Sequence, residues 1–242
     1  MELTPNSELR TPDYRRVSLD EVFFDLILAG TQVSSNLPRK ALFWGEGVSG
    51  ISSYLAGWMA EKGIDVIVLD GANRFDPYRV SSFARKALVS PERLLKKIRI
   101  ARAFTCFQMA TLVERLAFLL HQEEEVQRGS LPSPLRKPSI ILLGPMTTFL
   151  DEDVPEREVG PLFERSLRKM EIMTGGGVPF FLFQPNVPFG SKRAYLMRRP
   201  FQFSNLVWKI SLENEGPKLI FEKGPLSPRH SEQSEESRRL WG

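Results

Sequence analysis

The chain of 242 residues is 42% hydrophobic and 26% charged, the balance of a globular protein that can bury a full core, and its formal charge of +4 is mildly basic. Its one cysteine, Cys106, excludes an internal disulfide and a cysteine-based metal cluster. No stretch approaches roughly 18 uninterrupted apolar residues, and the N-terminus lacks a basic run followed by an apolar one, so the expectation is a cytoplasmic protein with no membrane partner.

Residues 1–16 are polar, with Pro5 and Pro12, and read as a loose arm. From Ser18 the order Ser-Leu-Asp-Glu begins like a capping box, and Val22, Phe23, Leu26 and Ile27 follow at helical spacing, which predicts a short helix. Ala41 to Trp44 is an apolar strand that enters the glycine-rich turn Gly45-Glu46-Gly47-Val48-Ser49-Gly50-Ile51-Ser52. Tyr54, Leu55, Trp58 and Met59 then repeat as a helix packed on a sheet does, and Gly63 closes that helix. Asp65 to Leu69 is almost wholly β-branched or aliphatic, as a strand buried on both faces should be. Strand, turn, helix and strand make a βαβ unit, hence a parallel sheet.

Phe75 to Arg79 turns into a helix reaching Leu88, and Ser90-Pro91-Glu92 caps another. Ile98 to Ala101 is a third, shorter strand. Phe107, Met109, Leu112, Val113, Leu116, Leu119 and Leu120 mark a long amphipathic helix that runs into the acidic Glu123-Glu124-Glu125. Residues 128–138, with three prolines, read as a surface loop. Ile140 to Leu143 is the next buried strand, residues 151–158 are acidic, and Leu162 to Met173 is helical. Val178 to Phe183 is a further strand ending at Gln184-Pro185, followed by the basic run Lys192 to Arg199. Closing strands are expected over residues 206–212 and 218–222. Beyond Gly224 the serine-rich, charged sequence predicts disorder. The domain reading is therefore an arm with a short helix over 1–36, a core over 37–224 and a tail over 225–242.

A phosphate-binding loop is written G-x-x-x-x-G-K-[ST]; Gly45, Gly50 and Ser52 stand at matching offsets, with Ile51 in place of the lysine. The bland alternative is a tight strand-to-helix turn with no ligand. The segment Leu69-Asp70-Gly71-Ala72-Asn73-Arg74-Phe75-Asp76-Pro77-Tyr78-Arg79 resembles the one after the second core strand of the RecA/RadA/KaiC-type ATPases, and residues 100–109 resemble their next strand and arginine-led helix entry. The resemblance covers residues 37–212 and implies a RecA-like P-loop core: a mostly parallel twisted sheet, helices on both faces and antiparallel closing strands. It places the family's catalytic glutamate on Ala72, its Walker B aspartate on Gly144 and its γ-phosphate-sensing glutamine on Gln184.

Lysine, glutamate and aspartate are thus replaced together, which implies a pseudo-ATPase with no catalytic residue, a vestigial nucleotide site over Gly45 to Ser52 with Gln184, doubtful ATP binding and no metal. Lys192, Arg193, Arg198 and Arg199 with Tyr195 have the composition of a single-strand groove, at the place where recombinases carry a DNA-binding loop. The expected function is a DNA-binding or accessory subunit of DNA recombination or repair, with single-stranded DNA, a second copy or a recombinase-type protein as partner. Two alternatives stay open: an active ATPase using atypical site residues, with Asp70, Asp151, Glu152 and Asp153 as the nearest acids, and a scaffold that binds neither ATP nor DNA. His121 and His230 lack metal-ligand spacing.

Overall fold

The computed structural model describes residues 40–128, 137–214 and 216–224. The arm, the helix expected from Ser18, most of the 128–138 loop and the C-terminal tail lie outside the described residues.

Seven strands form one sheet: β1 (Lys40–Gly45), β2 (Val66–Asp70), β3 (Ile98–Arg102), β4 (Ser139–Leu143), β5 (Phe180–Pro185), β6 (Leu206–Glu213) and β7 (Gly216–Lys223). Their order is β3-β2-β4-β5-β1-β6-β7, parallel throughout except for the antiparallel β6–β7 pair. The α/β class, the mostly parallel sheet and the antiparallel closing strands are as the sequence predicts.

Side chains alternate across each strand and so divide the core in two. Phe43, Val68, Leu143 and Phe183 face α1 (Val48–Glu61), α2 (Pro77–Lys86) and α3 (Pro91–Leu95). Leu42, Leu69, Leu142 and Leu182 face α4 (Cys106–Arg128), α5 (Glu156–Gly175) and the short α6 (Arg198–Phe203). The chain moves outward toward β3 over the first face and returns toward β7 over the second, the change of face that a single crossover hand requires. Connections leaving β1 and β2 therefore run to one face and those leaving β4 and β5 to the other. Such switch points open crevices at the carboxyl ends of the strands, and every position carried over from the family resemblance lies there.

Local signals explain most boundaries. The carboxylate of Asp76 accepts the Tyr78 N–H at 2.9 Å, and Pro77 follows as the first helical residue of α2. Thr105 Oγ1 accepts from Gln108 N while Gln108 Oε1 accepts from Phe104 N, a variant of the capping box that starts α4. Gly63 (φ 81) stops α1 in the left-handed region.

Two elements differ from expectation. α5 begins at Glu156, six residues before the expected Leu162, because Glu156 and Glu158 suit a helix N-terminus, and it continues through Pro161 in its second turn. The basic run is not an open loop: it folds as a 3-10 turn (Ala194–Met197) leading into α6, with Leu196 and Phe203 in the core.

Candidate functional site

Gly45 ends β1 with φ 117, and a Cβ there would overlap the carbonyl oxygen of Ile210 on β6. Only Glu46 and Gly47 separate this strand from α1, and Gly47 (φ 66) is its N-cap. The turn is fastened to β6 twice: Glu46 N donates to Ile210 O at 3.0 Å, and the Glu46 carboxylate accepts from Leu212 N at 2.9 Å. The side chain of Leu212 covers Gly47, where an added Cβ would stand 3.0 Å from Cδ2.

The remaining residues of the phosphate-loop pattern are helical. Val48 is buried, Ser49 and Gly50 are half-buried, and the Arg79 guanidinium lies over Gly50. Ile51 packs in the core, and Ser52 is fully buried, its hydroxyl donating to Ser49 O at 2.8 Å. In a phosphate loop the residues between the two glycines wrap the anion with their N–H groups. Here that interval is a two-residue turn and the first turn of a helix, and the serine hydroxyl points inward. The first N–H groups of α1 have no side-chain cap.

Asp70, Ala72, Gly144 and Gln184 gather at the ends of adjacent strands. Asp70 is fully buried; its carboxylate accepts from Phe75 N at 2.9 Å and Arg74 N at 3.2 Å, and pairs with Arg102 at 3.6 Å. These bonds fix the turn after β2 and leave the group no access to solvent. Gly71 N and Ala72 N both donate to Leu143 O, which draws this turn over the end of β4. Gly144 (φ 65) is so close that an added Cβ would lie 2.7 Å from the Cβ of Ala72 and 2.6 Å from Thr147 Oγ1. Gln184 is buried; Oε1 accepts from Met146 N at 3.0 Å and Nε2 donates to Pro185 O at 2.9 Å, so its amide is a brace between β5 and the loop after β4.

The basic run is zipped to the acidic segment 151–164. Lys192 meets Glu152, whose carboxyl is held below its usual range chiefly by the Lys192 N–H. Arg193, expected on the surface, is 95% buried; it pairs with Glu156 at 2.8 Å and donates to the carbonyls of Phe149, Asp151 and Val154. Tyr195 is exposed, with its hydroxyl on Glu156. Arg199 grips Glu164 with two nitrogens, and that hydrogen-bonded carboxylate raises its pKa. Arg198 is exposed. Glu152, Glu156 and Glu164 are thus the partners that reading the basic run alone overlooked, although an acidic and a basic segment of similar length were both in plain view.

A second polar cluster, unforeseen from the sequence, lies on β1, β6 and β7. Trp44 Nε1 donates to Glu222 at 2.7 Å, and Lys209 sits over the Trp44 ring at 5.1 Å. Burial pushes the Glu222 carboxyl up despite that hydrogen bond. Burial likewise raises the thiol of Cys106, the first residue of α4, whose side chain lies in the core.

Comparison with protein-family models and with curated protein sequences gives no match. Among the described residues no group of three or more His, Cys, Asp or Glu could hold a metal ion, and no helix is long and apolar enough to cross a membrane.

Proposed function

We propose that this chain is a RecA-like protein of the DNA recombination or repair type that works as a non-hydrolysing DNA-binding or accessory subunit. The observation that carries the reading is the contact between positions 72 and 144. The family resemblance assigns these two positions to the catalytic glutamate and the Walker B aspartate. They adjoin at the ends of neighbouring strands, with Gln184 on the next strand and the glycine turn on the one beyond it, an arrangement consistent with one ancestral site. Yet they hold Ala72 and Gly144 packed too closely for two carboxylates and a hydrated magnesium ion. The strand order also favours a P-loop-type relationship over the dinucleotide-binding order 3-2-1-4-5-6, since β1 lies between β5 and β6 and not beside β2.

The test is magnesium-dependent ATP turnover by the purified chain and by its Ile51→Lys variant. The reading expects none from either; turnover that depends on Gly45 to Ser52 overturns it in favour of an active ATPase. Within the reading, the accessory role gains on the DNA-binding one, because Lys192, Arg193 and Arg199 spend their charge on Glu152, Glu156 and Glu164. Titration with a labelled single strand separates the two. Salt-sensitive binding that is lost when Lys192, Arg198 and Arg199 are neutralised selects DNA binding, and absence of binding selects the accessory role.

A further inference from the structure

The positive charge of the chain is gathered on one face. Residues 71–102 hold nine lysines and arginines against two carboxylates, Asp76 and Glu92, a formal +7 in a chain whose total is +4, so the rest is net negative. This stretch folds as α2, α3 and the edge strand β3, whose Val80, Ala84, Leu94 and Ile98 share one core. α2 buries Val80 and Ala84, and its outer side carries Tyr78 and Arg85, seven residues apart in one line, with Arg79 and Lys86 in the next. Arg93 and Lys96, at α3, are exposed as well.

Among the described residues Arg74, Arg85, Lys86, Arg93 and Lys96 pair with no carboxylate, whereas Arg79, Lys97 and Arg102 meet Asp76, Asp65 and Asp70. This is the reverse of Lys192, Arg193 and Arg199, which are matched by Glu152, Glu156 and Glu164. Cations on an edge strand deter another sheet from pairing there, which accounts for those of β3 but not for Arg85 and Lys86 on a helix. The residues outside the described ones sum to only −2, too little to neutralise the face from within the chain. Its counterpart is a polyanion from outside.

Six of the nine cations are arginine, whose planar guanidinium suits phosphate, and Tyr78, 83% exposed, stands in line with one of them. A membrane-binding surface gathers its apolar groups on one side. Here the exposed Tyr78 and Leu88 are ten residues and about 15 Å apart, with Arg79, Arg85 and Lys86 between them. Rings interleaved with cations are the pattern of a single-strand platform.

We propose that the face of α2, α3 and β3 binds a single strand of nucleic acid, with Arg85, Lys86, Arg93 and Lys96 on its phosphates and Tyr78 stacked on a base. The basic run Lys192 to Arg199 lies on the other face of the sheet and takes no part. The inference rests on this charge distribution and not on the RecA-like reading, so ATP turnover would overturn that reading and leave this one standing.

Fluorescence anisotropy of an end-labelled oligothymidine titrated with the full chain tests it. The wild-type chain should bind with an affinity that falls steeply with salt. Arg85→Gln/Lys86→Gln/Arg93→Gln/Lys96→Gln should bind at least about tenfold more weakly, and its slope of log affinity against log salt should be shallower by about 3, since each phosphate contact to a single strand contributes about 0.7. Tyr78→Ala keeps every charge; it should weaken binding at least about fivefold and leave the slope unchanged. A wild-type chain that ignores oligothymidine overturns the proposal, and so does a four-residue variant that keeps the full slope. Loss of binding on neutralising Lys192, Arg198 and Arg199, with the four-residue variant unaffected, overturns it and returns the strand to the basic run. Undiminished affinity in Tyr78→Ala overturns the single-strand assignment, and binding to phosphatidylserine vesicles in place of oligothymidine gives the face to a membrane.

Discussion

Asp70 and Arg102 end neighbouring strands in register, and the carboxylate of the first, fully buried, faces the half-exposed guanidinium of the second at 3.6 Å. Because Asp70 also receives two backbone N–H groups, it organises the turn that carries Arg74 and Phe75. Replacing it by alanine strands those donors and is expected to cost about 2–4 kcal/mol of folding stability. Urea denaturation of Asp70→Ala checks this, and a loss under about 0.5 kcal/mol would mean that the turn is held by other contacts.

An acid placed at position 144 should damage the fold without creating a metal site. Gly144 has φ 65, and any side chain there meets Thr147 and Ala72 below 3 Å. Gly144→Asp is expected to lose about 2–4 kcal/mol from strain and overpacking combined. Its melting temperature should not respond to magnesium. A magnesium-dependent rise would show that the crevice opens more readily than its packing implies.

Arg193 and Arg199, two of the three arginines of the basic run, should behave very differently. Arg193 is buried among three carbonyls, so Arg193→Ala leaves buried acceptors unpaired and should cost about 3–5 kcal/mol. Arg199 and Glu164 are each less than half exposed in a two-nitrogen contact at the surface, and Arg199→Ala should cost at most about 1 kcal/mol. Parallel denaturation curves of the two variants measure the contrast; equal losses would contradict the burial assigned to Arg193.

Glu222 gives the pH prediction. Burial raises its folded-state pKa above the unfolded reference of 4.5. The native state therefore holds this proton more tightly than the unfolded chain, and the resulting stabilisation is complete below about pH 4.5 and is lost as pH rises through the folded value. Glutamine at this position can still accept from Trp44 Nε1 and has no proton to lose. The stability of Glu222→Gln relative to wild type should thus improve as pH is raised across this window. A difference independent of pH would mean that the carboxyl stays accessible to water.

The four central strands β1, β2, β4 and β5 were legible in the sequence because each is an apolar run buried on both faces that stops at Gly, Pro or Asp. The helices were legible where one face alone is buried, as in α2, which buries Val80 and Ala84. Less legible were features that depend on an opposing segment. Pro161 hid the first turns of α5, whose start depends on Glu156 and Glu158. The run Lys192 to Arg199 looked like a solvated groove because nothing local reveals that Glu152, Glu156 and Glu164 lie opposite it. The glycine turn was harder still, since glycine spacing does not state where a helix begins. Gly45 and Gly47 serve close approach to Ile210 and Leu212 of a strand more than 160 residues away.

That last approach sets the kind of change that could make a phosphate loop of the turn. With Glu46 and Gly47 alone joining β1 to α1, and both backbone and carboxylate of Glu46 committed to β6, there is no slack in which a loop can curl around a phosphate. No exchange of one residue for another alters that length. Phosphate binding by a loop of that kind would need inserted residues between Gly45 and Val48, together with release of β6 from Glu46, before a lysine at position 51 had anything to contribute.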